Sequence, residues 1–173
     1  MSARSEILAR ARALSGGDLG PRARRLAERM EPATPLEFED VAAAPDWILW
    51  SKTERRDLAR AAGVAACAPQ LRRTIDGRAL RIFAEAIGSD RLDALLAAPA
   101  LDNEVSRALP TNAEALTALG AAALRSEAGD RPGLARRLAF LLPPSTEMLD
   151  PATARAACAQ ARQWAAIDGK AQP

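Results

Sequence analysis

Between Asp46 and Pro99 the chain is punctuated too often for long elements, and each mark belongs to a helix. Ser51 and Glu54 have the spacing of a capping box, in which the hydroxyl accepts from a first-turn N–H and the carboxylate reaches back. Gly63 follows Leu58-Ala59-Arg60-Ala61-Ala62, where a glycine after a helix end takes φ > 0 at no steric cost. Pro69 opens the next helix, with Leu71 and Ile75 as its apolar face. Asp76 can cap a helix over 78–87, whose Ala79, Ile82, Phe83, Ala86 and Ile87 recur at helical spacing, and Gly88 stops it. Ser89 or Asp90 starts another, carrying Leu92, Leu95 and Leu96 and ending before Pro99.

The rest of the chain reads the same way. Helices are expected over 6–14, before Gly16-Gly17, and from Pro21 to Met30. Residues 31–45 form a proline- and acid-rich connector with one short turn near 38–43, laying Leu36 and Phe38 onto the core. Residues 99–110 are a loop with one turn near 103–109. Thr111 and Glu114 repeat the capping-box spacing ahead of Leu116, Leu119, Ala123 and Leu124, and Gly129 ends that helix. Asp130 caps a helix bearing Leu134, Leu138, Leu141 and Leu142, which Pro143-Pro144 terminates. Asp150-Pro151 opens the last helix, with Ala154, Ala157, Cys158, Ala161 and Trp164 inward.

Of the 173 residues 49% are hydrophobic, much of that alanine, the strongest helix former. Strand-forming residues are scarce. The expected fold is therefore all-α: one multi-helix domain of about seven or eight helices with a loosely packed N-terminal arm. The boundaries are an arm and connector over 1–45, a helical core over 46–168 and a frayed tail over 169–173. Alanine-rich faces predict close helix packing.

Absences narrow the chemistry. No histidine is present, which removes His-based acid–base catalysis, the Ser-His-Asp triad and most catalytic zinc sites. Cys67 and Cys158 sit far apart among alanines and read as small buried hydrophobes. Asp90 and Asp93 share a helical face, but Asp90 serves as a cap; Asp102 and Glu104 lack a clustered partner. Gly16-Gly17 with Gly20 lacks the strand and the Gly-Lys-Ser/Thr of a phosphate loop. The expectation is no catalytic residue, no cofactor, no metal and no small-molecule substrate. No apolar run approaches ~20 residues, the length of a membrane span. The opening MSARSEILARARAL has no apolar signal region, so the protein is expected to stay in the cytosol.

Residues 54–76 carry a competing reading. A helix ending in Ala-Gly-Val, a short turn and an arginine-bearing helix outline a helix-turn-helix, whose second helix enters the major groove. Pro69 falls inside that second helix, where it removes an N–H and clashes with the preceding turn. The net charge is only +2, from 24 basic and 22 acidic residues, whereas nucleic-acid binders gather a basic excess. A DNA-binding regulator is thus the alternative, and no nucleic acid the main expectation. Trp47 and Trp50 flank a helix start, where aromatics are either core or interface anchors. The pairs Arg72-Arg73 and Arg136-Arg137 are either solvated or face an acidic partner.

Five segments share an order that resembles the SctK family, a cytoplasmic accessory protein of type III secretion sorting platforms. They are Leu58-Ala59-Arg60-Ala61-Ala62-Gly63-Val64, Leu71-Arg72-Arg73, the helix–turn–helix run from Leu80 to Leu96, Leu119-Gly120-Ala121-Ala122, and Arg136-Arg137-Leu138-Ala139-Phe140-Leu141-Leu142-Pro143. The resemblance implies a non-enzymatic adaptor at the cytoplasmic face of the inner membrane. It would link the cytoplasmic domain of an SctD-like inner-ring protein to an SctQ-like pod protein. Trp47, Trp50, Arg72, Arg73, Arg136 and Arg137 are the residues expected to meet these partners.

Overall fold

A computed structural model describes residues 38–97 and 108–167. The chain separates into two units, Met1–Pro35 with Pro173 and Leu36–Gln172, and all of the described residues belong to the second. The expected helices over 6–14 and 21–30, the Leu36 contact, most of the loop over 99–110 and the tail lie outside the described residues.

Every regular element among the described residues is helical, so the fold is all-α. In chain order these are α1 (Phe38–Ala42), a 3-10 turn (Asp46–Leu49), α2 (Lys52–Ala66), α3 (Ala68–Leu71), α4 (Gly77–Ile87), α5 (Ser89–Ala97), α6 (Ala113–Arg125), a second 3-10 turn (Ser126–Ala128), α7 (Pro132–Leu141) and α8 (Pro151–Ile167). Helices α2 and α6 form the central pair, and α8 packs across both. Helix α4 lies on α2, α5 joins α4 to α3, and α7 closes the end formed by α6 and the second 3-10 turn.

The central pair explains the alanine content. A Cβ placed on Gly120 would stand 1.6 Å from the Ala59 carbonyl oxygen and 2.6 Å from Gly63 N. One on Gly63 would stand 2.2 Å from the Leu116 carbonyl oxygen. The two backbones therefore touch at a glycine–glycine crossing. Ala59, Ala62, Ala121 and Ala123 surround it, all without exposure to solvent. Such an approach maximises dispersion contact between helices that carry few bulky side chains. From α8, Ala154, Ala157, Cys158, Ala161 and Trp164 point inward, the face that the sequence predicts.

Several helix signals act where the sequence places them. Asp76 accepts from Arg78 N at 2.8 Å and starts α4. Gly88 ends α4 with φ +87°, a backbone that disfavours any side chain. Asp150 accepts from Ala152 N and Thr153 N at the head of α8. Others do not. Gly63 ends nothing: α2 continues to Ala66, and the glycine is there for the crossing. Asn112, not Thr111, caps α6 through Ala115 N, because asparagine immediately precedes the first helical residue. Asp130 caps nothing; the first residue of α7 is Pro132, with Arg131 before it and no side-chain cap. Ile75 is wholly exposed, because α3 stops at Leu71 and the chain leaves the core. Phe38, expected on the core, is 64% exposed on the short α1.

Candidate partner-docking surface

The entrance to α2 is held firmly. Ser51 Oγ accepts from Glu54 N at 3.2 Å, and Ser51 N donates to the Glu54 carboxylate at 2.7 Å, completing the predicted capping box. The Arg55 guanidinium donates to the carbonyl oxygens of Ile48, at 3.3 Å, and Trp50. The first 3-10 turn is thereby folded back against the helix it precedes. Trp47 turns into the core. Trp50, extended at ψ 159°, is half-buried and packs against the edge of the core.

Two concave surfaces flank this half of α2. At about 100° per residue, Lys52, Arg55 and Arg56 fall on one flank and Glu54, Asp57 and Ala61 on the other. The first flank forms a groove of 530 Å³ with Phe140, Leu142, Pro143 and Pro144 of the α7 end. Its charges are those three cations against Glu114. Phe140 is 65% exposed at its wall. The Arg125 guanidinium donates to the carbonyl oxygens of Pro143 and Ser145, which ties that wall to the end of α6. The second flank forms a smaller groove of 240 Å³ between Trp50 and Trp164. There the carboxylates of Glu54, Asp57 and Glu85 face Arg60 and Arg91. Asp57 and Arg60 pair within α2 at 3.9 Å.

The six residues singled out from the sequence do not form one surface. Trp47 is 1% exposed, and its indole N–H donates to Glu127 at 3.1 Å. It is a core residue and offers a partner nothing, which corrects the expectation for it. Trp50 lines the smaller groove. Arg72 is half-buried and its Nε–H donates to the Leu95 carbonyl oxygen at 3.0 Å, capping the end of α5. Arg73 is exposed beside it. On α7, Arg136 is exposed, while Arg137 is half-buried with its Nε covered. None of these four arginines lines either groove. The wall and rim residues Lys52, Arg55, Arg56 and Phe140 were visible in the sequence only as a basic cluster at a helix start and an apolar residue beside Pro143-Pro144.

Glu127, in the second 3-10 turn, is a part-buried polar junction between the core and α8. It accepts from the Trp47 indole and pairs with Arg162 of α8. Burial pushes the Cys158 thiol far above its ordinary value, and the neighbouring Glu127 carboxylate adds to the shift while Arg162 opposes it. A protonated, buried thiol is no nucleophile at neutral pH. Cys67 is also buried, and the two form no disulfide.

The geometry of 54–76 does not reproduce a helix-turn-helix. Gly63 lies inside α2, and the helix that follows has four residues, one turn and no more. Among the described residues no three Cys, Asp or Glu come together as a metal site, and no helix is long and apolar enough to cross a membrane. Compared with protein-family models, characterised proteins and solved structures, the chain has no match.

Proposed function

We propose that this chain is a non-enzymatic adaptor of the SctK type, joining an SctD-like inner-ring cytoplasmic domain to an SctQ-like pod protein at the cytoplasmic face of the inner membrane. One observation carries the reading. Two grooves of different character, one apolar with a basic rim and one carboxylate-rich between tryptophans, lie along opposite flanks of the first half of α2. A body that presents two unlike concave faces from one rigid helix is suited to hold two partners at a fixed spacing. The order of leucine, arginine and glycine segments resembling the SctK family names those partners. The absence of histidine from the sequence agrees with a binding role.

Co-purification tests it. The full chain, mixed with the cytoplasmic domains of SctD-like and SctQ-like proteins, is expected to retain both at micromolar concentration. Retention of neither overturns the proposal. Duplex DNA is the control: a mobility shift that weakens steeply with salt would replace the adaptor by a regulator.

A further inference from the structure

We infer that the groove between α2 and the α7 end takes an acidic amphipathic segment of a partner protein, an inference that rests on the adaptor reading and names the partner chemistry for one of its faces. Three observations converge. The floor and wall are apolar, from Ala118, Phe140, Leu142 and the two prolines, and Phe140 stands 65% exposed. The rim carries three cations, Lys52, Arg55 and Arg56, against one carboxylate, Glu114. Among the described residues, the side chains of Lys52 and Arg56 make no ion pair or hydrogen bond, so their charge is not neutralised within the fold. Finally, these cations occupy the first turns of α2, where the helix dipole is already positive. They add to that field instead of offsetting it, so the groove mouth concentrates positive potential and attracts carboxylates. The wall is preformed, because Arg125 fixes Pro143 and Ser145 from behind. An amphipathic helix with anchors at i, i+3, i+4 and i+7 matches such a groove, and flanking carboxylates would meet Lys52 and Arg56.

The test uses the full chain and a fluorescein-labelled synthetic helix of about five turns, with leucine or phenylalanine at those anchor positions and glutamate beside them. Anisotropy titration should give saturable binding. Lys52→Glu with Arg56→Glu should weaken it at least about tenfold, and Phe140→Ala about tenfold. Arg136→Glu, outside the groove, should change it by less than about twofold. Thermal melts confirm that each variant is folded. Absence of saturable binding overturns the inference. So does equal binding of a peptide with the same composition but its apolar residues out of helical phase, or variants that bind like wild type. Vesicles of phosphatidylglycerol and phosphatidylcholine provide a further arm: binding to them but not to the peptide overturns the inference in favour of a lipid surface. Self-association lost in Phe140→Ala, without peptide binding, overturns it in favour of a second copy of the chain. Co-purification separates this inference from the adaptor reading. If wild type retains neither partner domain, the adaptor reading falls. If wild type and the Lys52→Glu, Arg56→Glu variant retain both domains equally, the groove falls and the adaptor stands.

Discussion

The two halves of α2 are built on opposite principles. From Leu58 to Ala66 the helix is mostly small and apolar, with Leu58, Ala59, Ala62, Gly63, Val64 and Ala66 buried and Arg60 its one charge, and at Gly63 its backbone touches α6. From Lys52 to Asp57 it is charged and solvated, and each flank borders a groove. One half has no room for a side chain at Gly63. The other carries, in Lys52 and Arg56, cations without an ion pair among the described residues. A single continuous helix thus anchors the domain with its C-terminal half and offers surfaces with its N-terminal half. Whatever meets those surfaces does so on a support that cannot shift without breaking the crossing.

The largest expected effect attacks that crossing. In an exposed helix interior Gly→Ala stabilises by about 1 kcal/mol. Gly120→Ala should do the reverse here, destabilising by about 3 kcal/mol or more, because the new methyl meets the Ala59 carbonyl and two helices must part. Gly63→Ala should behave alike. Gly88→Ala is the contrast: no atom crowds its Cβ position, and the loss, about 1 kcal/mol, comes from its φ of +87° alone. Urea melts measure all three. A Gly120→Ala protein as stable as wild type would mean that the crossing is loose.

The buried side of the comparison also responds to pH. The folded-state pKa of Cys158 is raised, so the stability it contributes is complete below its unfolded value of 9.0 and is lost as pH rises above that. In the unfolded chain the thiol ionises there and binds fewer protons than the folded one. Melting temperatures followed from about pH 8 to pH 10.5 should therefore fall more steeply for wild type than for Cys158→Ala. The chain has no tyrosine to obscure this limb. Parallel slopes would place Cys158 in contact with water.

The sequence was most legible where a signal is local. The capping box at Ser51, the caps Asp76 and Asp150 and the inward face of α8 each depend on neighbours within one or two turns. Gly63 was misread because its local setting, Ala-Ala-Gly-Val, suits a helix end as well as a packing notch. What decides between them is Gly120, remote in sequence, on another helix. Trp47 and Trp50 differ for a similar reason. Both precede the same helix, but the 3-10 turn sends one towards Glu127, while the other, extended after the turn, is left half-buried at the smaller groove. The grooves are products of tertiary packing and left one local trace, cations where a helix start disfavours them.

That trace gives the smallest effect and the sharpest use of the comparison. Lys52 and Arg56 stand at the positive end of the α2 dipole, and Arg56 lies one turn from Lys52 with like charge. Replacing both with alanine should stabilise the fold slightly, by about 0.3–1 kcal/mol at low ionic strength, with the gain shrinking as salt screens it. Arg55 is left in place, since its guanidinium holds the Ile48 and Trp50 carbonyls and its loss would unfasten the entrance. Urea melts at low and high salt read the difference. A destabilised double variant would show that the two cations support the fold, and the contrast between the halves of α2 would collapse. A stabilised one would show that the sequence keeps charges its own structure does better without, as binding surfaces commonly do. Such charges are explained by what they meet outside the chain, and the acidic occupant of the adjoining groove supplies it.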